Sequence, residues 1–177
     1  RKIARKSKCD VLIGIQGRRQ VVVIGLLESS GDAQLEITQL AYLIEGLFAM
    51  GPLVLGPVVP TVSEASRSAR AALAANSVAA TTSFSHRPIL ADELLPERAL
   101  AGDQLAKATL LQSLYHPIAD ASTELLNTLK TYLECGRSLE ATSKVLFVHA
   151  NTVRYRLRRI QEILGEDATD PRTAFVL

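Results

Sequence analysis

The sequence holds no tryptophan, one methionine, two cysteines and three histidines in 177 residues, and aromatic residues make up only 5% of it. Cys9 and Cys135 are far apart and belong to no CxxC pattern. Neither a disulfide framework nor a zinc site is indicated, and a reducing cytoplasm is the expected compartment. No apolar run is long enough to span a bilayer. The longest, GLFAMGPLVLGPVV at 46–59, is cut by Gly51-Pro52 and Gly56-Pro57 and reads as core. A Gly-rich phosphate loop, a GxSxG elbow and an HExxH pair are all missing, so common enzyme signatures are unrepresented and no cofactor is expected. The start at Arg1, without methionine or signal-peptide character, reads as a fragment whose upstream part is missing.

What is present is a hydrophobic share of 47% and a net charge of only +2 that conceals strong segregation. Residues 1–8 carry five positive charges and no acid, 20–66 carry five acids and no Lys or Arg, and 137–162 carry six bases against two acids. Such a chain can bury a core, and its basic surface is local to the two ends. The terminal run 1–8 has no interleaved aromatics and reads as a solvated arm rather than a site.

Along the first half, DVLIGIQ (10–16) and QVVVIGLL (20–27) are rich in β-branched residues around Gly17-Arg18-Arg19, a hairpin signal. Ser29 to Asp32 offers helix caps. A helix is expected over 33–50, with Leu35, Leu40, Leu43, Ile44, Leu47 and Phe48 on its apolar face. A strand follows at 53–59, then an Ala-rich helix capped by Thr61 or Ser63 and stopped by Asn76, then a strand at 78–84. This order describes an α/β sheet with helices on one face.

From His86 the chain becomes helical. A short helix breaks near Pro96, and a second is expected to start at the Asp103 cap and end at Pro117. Asp92, Glu93, Glu97 and Asp103 lack His or Cys at ligand spacing and read as a solvated helix face, with no metal site. His86 and His116 adjoin a loop or a proline and read as capping or surface groups. Ser122 or Thr123 caps a helix striped by Leu125, Leu129, Tyr132 and Leu133 and closed by Gly136. Ser138 caps the next, in which Leu139, Ala141, Val145 and Leu146 are expected to face inward.

The most informative stretch is 138–165, two helices joined by the turn Phe147-Val148-His149. At 100° per residue, Val153, Leu157, Ile160 and Leu164 form one apolar stripe over 150–164. Asn151, Tyr155, Arg158 and Glu162 lie opposite, with Arg154 and Arg159 on the flanks. His149 or Asn151 caps this helix, Gly165 ends it, and Asp170-Pro171 starts a last one. A helix held by one side that offers basic and amide groups on the other suits a DNA major groove. Asn151, Thr152 and Tyr155 near its N-terminal end would reach base edges, Arg154 and Arg158 would read guanine or hold phosphate, and Arg156 and Arg159 would clamp phosphate. His149 joins them at the helix start.

Residues 122–176, through LLxTLxxYL at 125–133, Gly136, LFVHANTVRYRL at 146–157, Arg159-Ile160 and Gly165, resemble the C-terminal helix-turn-helix domain of the PucR/CdaR-type bacterial regulators. Ala150 stands where that family often has Arg, which removes one phosphate contact. The strand and helix order of 10–85 resembles the family's degenerate GGDEF-like domain, whose turn here reads Gly17-Arg18-Arg19-Gln20 without the carboxylates that cyclase metal chemistry requires. ADELLPERALAGD at 91–103 and RSLEAT at 137–142 resemble the branch that regulates type II fatty-acid synthase genes.

The resemblance implies an α+β/α chain: a partial GGDEF-like α/β domain at 1–86, a helical linker at 87–120 and an all-α DNA-binding domain at 121–177. It implies a cytoplasmic, non-enzymatic transcriptional regulator that binds double-stranded operator DNA as a homodimer or higher homo-oligomer, probing half-sites about 34 Å apart. A small-molecule effector such as an acyl thioester, bound by the α/β half, is the competing role.

Overall fold

The computed structural model describes residues 9–27, 31–80 and 86–177, which divide into two compact units after Asp103. The basic run 1–8 lies outside the described residues.

In the first unit, β1 (Cys9–Gln16) and β2 (Arg19–Leu26) pair antiparallel in unbroken register from Cys9↔Leu26 to Gln16↔Arg19. The connecting loop is Gly17-Arg18, tighter than the sequence indicates because Arg19 already pairs. Gly17, at φ 59, supplies the backbone angle the turn needs. One hairpin face, with Cys9, Val11, Ile24 and Leu26, packs against Leu40 and Ile44 of α1 (Ala33–Ile44). Asp32 caps α1 by accepting from the N–H groups of Gln34 and Leu35 at 2.9 and 3.3 Å. Burial of Cys9 raises its thiol pKa, and the charges of Glu36 and Asp10 add to the shift.

The helix expected over 33–50 ends at Ile44 and tightens into a 3₁₀ turn at Glu45–Leu47 around Gly46. Its buried residues are Ile37, Leu40 and Ala41, while Leu35, Leu43 and Leu47 stay exposed, so the apolar face is narrower than the periodicity indicated. The strand expected at 53–59 contracts to β3 (Val54–Leu55), hemmed by Pro52 and Pro57, which donate no ladder hydrogen bond. β3 pairs parallel with β4 (Ile89–Leu90), a strand the sequence reading placed in a helical region. Among the described residues the sheets are therefore two separate two-stranded pairs.

The Ala-rich helix α2 (Ala65–Ala79) does not stop at Asn76. That side chain points out of the helix and donates to Pro52 O at 3.3 Å, which frees the backbone to continue through Val78. Val78 and Ala79 are thus helical, and the rest of the strand expected at 78–84 reaches into 81–85, outside the described residues. Ala71, Ala75 and Ala79 meet Ile89, Ala91 and Leu94 in an alanine-thin core. At Gly56 a Cβ would fall 2.4 Å from Ser68 O, so glycine there allows the close approach of α2. A 3₁₀ turn at Ala91–Leu94 then leads into α3 (Leu95–Leu100), with Pro96 in its first turn, where the missing N–H is harmless.

The second unit is all helix. α4 (Gln104–Leu110), a π-helical turn at Leu111–Tyr115 and α5 (His116–Ala121) run on without a break. Pro117 does not end the helix as expected, because the π turn just before it absorbs the missing hydrogen bond. α6 (Thr123–Glu134), α7 (Leu139–Val145), α8 (Ala150–Leu164) and α9 (Pro171–Val176) follow. Ile118, Leu125, Leu129, Tyr132, Val153, Leu157, Ile160 and Ala168 make the core. Burial raises the Tyr132 phenol pKa.

Candidate nucleic-acid interface

Each boundary of the helix-turn-helix has a local cause. Ser122 starts α6 by accepting from Glu124 N at 3.2 Å. α6 closes where Gly136 and Arg137 both take positive φ, and Arg137 N donates back to Tyr132 O at 2.8 Å. Ser138 accepts from Ala141 N at 3.2 Å and starts α7. Within α7 the buried residue is Thr142, its hydroxyl donating to Ser138 O at 2.7 Å, while Val145, expected to face inward, is exposed.

The turn between α7 and α8 uses Phe147 at φ 54, a left-handed angle rare for a bulky residue, and leaves its ring 95% exposed. Val148 N then donates to Ser143 O at 3.0 Å, and Val148 packs against the core. Of the two candidate caps, His149 is the one that caps α8: its Nδ1 accepts from Asn151 N at 3.1 Å. After the fifteen residues of the helix, Gly165, at φ 72, donates to Gln161 O at 2.8 Å and closes it. The span is about 22 Å.

Val153, Leu157 and Ile160 are buried, with Leu164 partly so, and this stripe fixes which residues remain outside. Asn151, Arg154, Tyr155, Arg158 and Arg159 are exposed, together with His149 before the helix; Thr152 is half-buried on its flank. Arg154 Nη1 donates to Asn151 Oδ1, so the two side chains next to the N-terminus of α8 are already held together. Arg159 Nη1 reaches Glu162 Oε2 at 2.7 Å, and that hydrogen bond raises the Arg159 pKa above its ordinary value. Among the described residues Arg158 has no ion-pair or hydrogen-bond partner.

Arg156 is placed differently from its neighbours. Its guanidinium, on a side chain only 20% exposed, turns toward α6 and donates to Thr128 Oγ1 at 3.2 Å and Glu124 Oε2 at 3.0 Å. The residue assigned from its wheel position to a phosphate is thus engaged inside the unit. The sequence reading missed Glu124 and Thr128 as its partners; the available signal was a threonine at 128 within an otherwise apolar stripe. Phe147 stands in the turn as expected, but nothing local announced its left-handed backbone.

The acids of 92–103 are not simply solvated. Arg98, 2% exposed, donates to Asp103 Oδ2 and to Ala91 O, each at 3.0 Å, with Asp92 3.7 Å away. Glu93 bonds His86 Nε2 at 2.9 Å and accepts from Leu90 N at 3.3 Å. These groups staple the first unit, as a buried arginine requires. Among the described residues no group of three or more His, Cys, Asp or Glu is placed to hold a metal ion.

A model of the PucR C-terminal helix-turn-helix domain matches residues 125–177. An uncharacterized protein of Mycobacterium tuberculosis is 48% identical over 130 residues, which take in 73% of this chain and 31% of that protein. The purine catabolism regulatory protein of Bacillus subtilis is 47% identical over 53 residues, 30% of this chain and 10% of that one. Among solved structures, the regulator of polyketide synthase expression from Bifidobacterium adolescentis superposes with a TM-score of 0.83 at 37% identity, covering 99% of this chain and 69% of that one. This chain spans about a third of the length of the mycobacterial relative.

Proposed function

Because the chain belongs to the PucR-type family of helix-turn-helix transcriptional regulators, we infer that α8 enters a DNA major groove and that the parent protein is a sequence-specific regulator. The observation that carries this is the exposed row Asn151, Tyr155 and Arg158 on a helix clamped by Val153, Leu157 and Ile160 behind a tight turn. Asn151 and Arg154 form one reading pair near the helix start, where Asn can pair with adenine and Arg with guanine. Arg158 extends the row by one turn. His149 and Thr152 lie at the groove entrance, and Arg159 can leave the exposed Glu162 for a phosphate at little cost.

On this reading 121–177 is the DNA-binding domain, and the chain acts in the cytoplasm by binding rather than by catalysis. Residues 1–86 are part of a degenerate GGDEF-like domain whose hairpin turn carries Arg18 and Arg19 instead of acids, and this domain or the helical linker at 87–120 serves self-association. The targets are lipid synthesis genes. Supporting this is the structural neighbour that regulates polyketide synthase expression, since polyketide and fatty-acid synthases share acyl-thioester chemistry. Genome-wide footprinting with the full-length protein tests both levels: protected sites upstream of acyl-chain synthesis genes support the target class, and absence of any protected site rejects the DNA-binding reading.

A further inference from the structure

We propose that Arg156 is a positioning residue that sets the rotation of α8 by gripping α6, and that it does not contact DNA. The proposal rests on the reading of α8 as the recognition helix.

The apolar stripe of α8 sets which side of the helix faces out, but apolar contact is non-directional and tolerates small swivels about the helix axis that a directional hydrogen bond does not. Among the described residues, the side-chain hydrogen bonds that join α8 to another helix are the two made by Arg156. They are arranged as a fork. Glu124 and Thr128 stand one turn apart on α6, on the same side, and each takes one guanidinium nitrogen. Thr128 is fully buried, and its single hydroxyl proton goes to Glu124 O at 2.7 Å, which leaves an oxygen lone pair for Arg156. Thr128 thus uses both its proton and a lone pair, Glu124, 74% exposed, holds the outer tine of the fork through one oxygen, and the planar guanidinium favours one orientation of α8.

The consequence falls on the opposite face. Hydrogen bonds to base edges weaken steeply as they depart from linearity, whereas contacts to phosphate depend mainly on charge. A helix free to swivel loses discrimination between sequences first. Arg156 follows Tyr155 directly in the chain, so the grip acts in the middle of the reading row.

The test uses the full chain and two duplexes, an operator recovered by footprinting and a random sequence, titrated over a range of salt. Arg156→Ala and Glu124→Gln are each expected to lower the operator-to-random affinity ratio about tenfold, the scale of one charge-assisted hydrogen bond. The double variant should be no worse than Arg156→Ala, and the salt slope should not change. Leu133→Ala, which loosens the same core without touching the fork, should leave the ratio intact, because the folded fraction cancels between the two duplexes. A salt slope reduced by about 0.9 in Arg156→Ala, with Glu124→Gln neutral in the ratio, would make Arg156 a phosphate contact and overturn the proposal. If the wild type prefers no duplex, the DNA-binding reading fails, and the grip is decided by NMR of the free protein. Slowly exchanging Arg156 guanidinium signals that average in Glu124→Gln support it, and signals already averaged in the wild type refute it.

Discussion

Arg154, Arg158 and Arg159 stand within two turns of one helix, yet they differ in the partner each would have to leave to reach DNA. Arg158 has no partner to leave among the described residues, Arg154 holds Asn151, and Arg159 holds Glu162. Arg158→Ala and Arg154→Ala are each expected to weaken operator binding by about 1–3 kcal/mol if they read a base. Arg159→Ala should weaken all sequences alike and lower the salt slope by about one. Fluorescence anisotropy across salt separates the two patterns, and unchanged affinity in all three variants would sink the recognition-helix assignment. Phe147 poses a different question, since its left-handed backbone costs about 1–2 kcal/mol that glycine would not incur. Phe147→Gly should therefore raise the thermal midpoint, and a lowered midpoint would mean the exposed ring packs on something. Asp167 accepts from the Thr169 N–H at 2.8 Å and from its hydroxyl at 2.7 Å, which lowers its pKa below the usual carboxylate value. A lowered folded pKa contributes stability above the unfolded value, about 3.9, and that stability fades as pH falls through the folded value. Asp167→Asn should flatten the acid side of a stability profile measured by urea unfolding below about pH 4, leaving the neutral region less affected by pH.

At the scale of elements, α8 shows how far a single sequence carries. Its stripe of Val153, Leu157 and Ile160 and its end at Gly165 were all readable, because periodicity, caps and a terminal glycine are encoded within the helix itself. The role of Arg156 was not readable, since its partner Glu124 lies 32 positions away and only tertiary packing brings the two together. The same division explains the first unit. The hairpin is a local signal and formed nearly as expected. β3 and β4 depend on each other across 35 residues, from Val54 to Ile89, and neither has more than two residues of strand to announce it. Asn76 misled because its side chain found Pro52 O and α2 continued. Two changes check the account of α8. Ile160→Ala, at a fully buried site, should destabilise the helical unit by about 2–5 kcal/mol in denaturant unfolding. Gly165→Ala meets no atom within 4 Å and should cost only the backbone strain of φ 72, about 1 kcal/mol. A larger loss at 165 would mean that the cap geometry also places α9.

For the whole molecule the open matter is how many copies bind. Leu12 and Val23 pair across the hairpin on the face turned away from α1, and Leu12 is 74% exposed. Gly14 and Gly25 lie on that same face, so its middle is apolar and shallow enough for another backbone to approach, with Asp10 at one end and Gln16 and Arg19 at the other. An apolar centre with polar ends is what an association surface needs. Leu12→Asp places a charge at a site 74% exposed in the single chain, so the chain should still fold, with at most about 1 kcal/mol lost from the hairpin itself. If the hairpin face joins two copies, sedimentation velocity should show the dimer dissociating at concentrations where the wild type remains associated. Operator binding then distinguishes the consequences, because a two-fold assembly gains affinity only from paired half-sites. Leu12→Asp should weaken binding to a duplex with two half-sites and spare binding to a single one, while Arg158→Ala should weaken both. A dimer that survives Leu12→Asp would move the interface off the hairpin and leave the reading of α8 untouched.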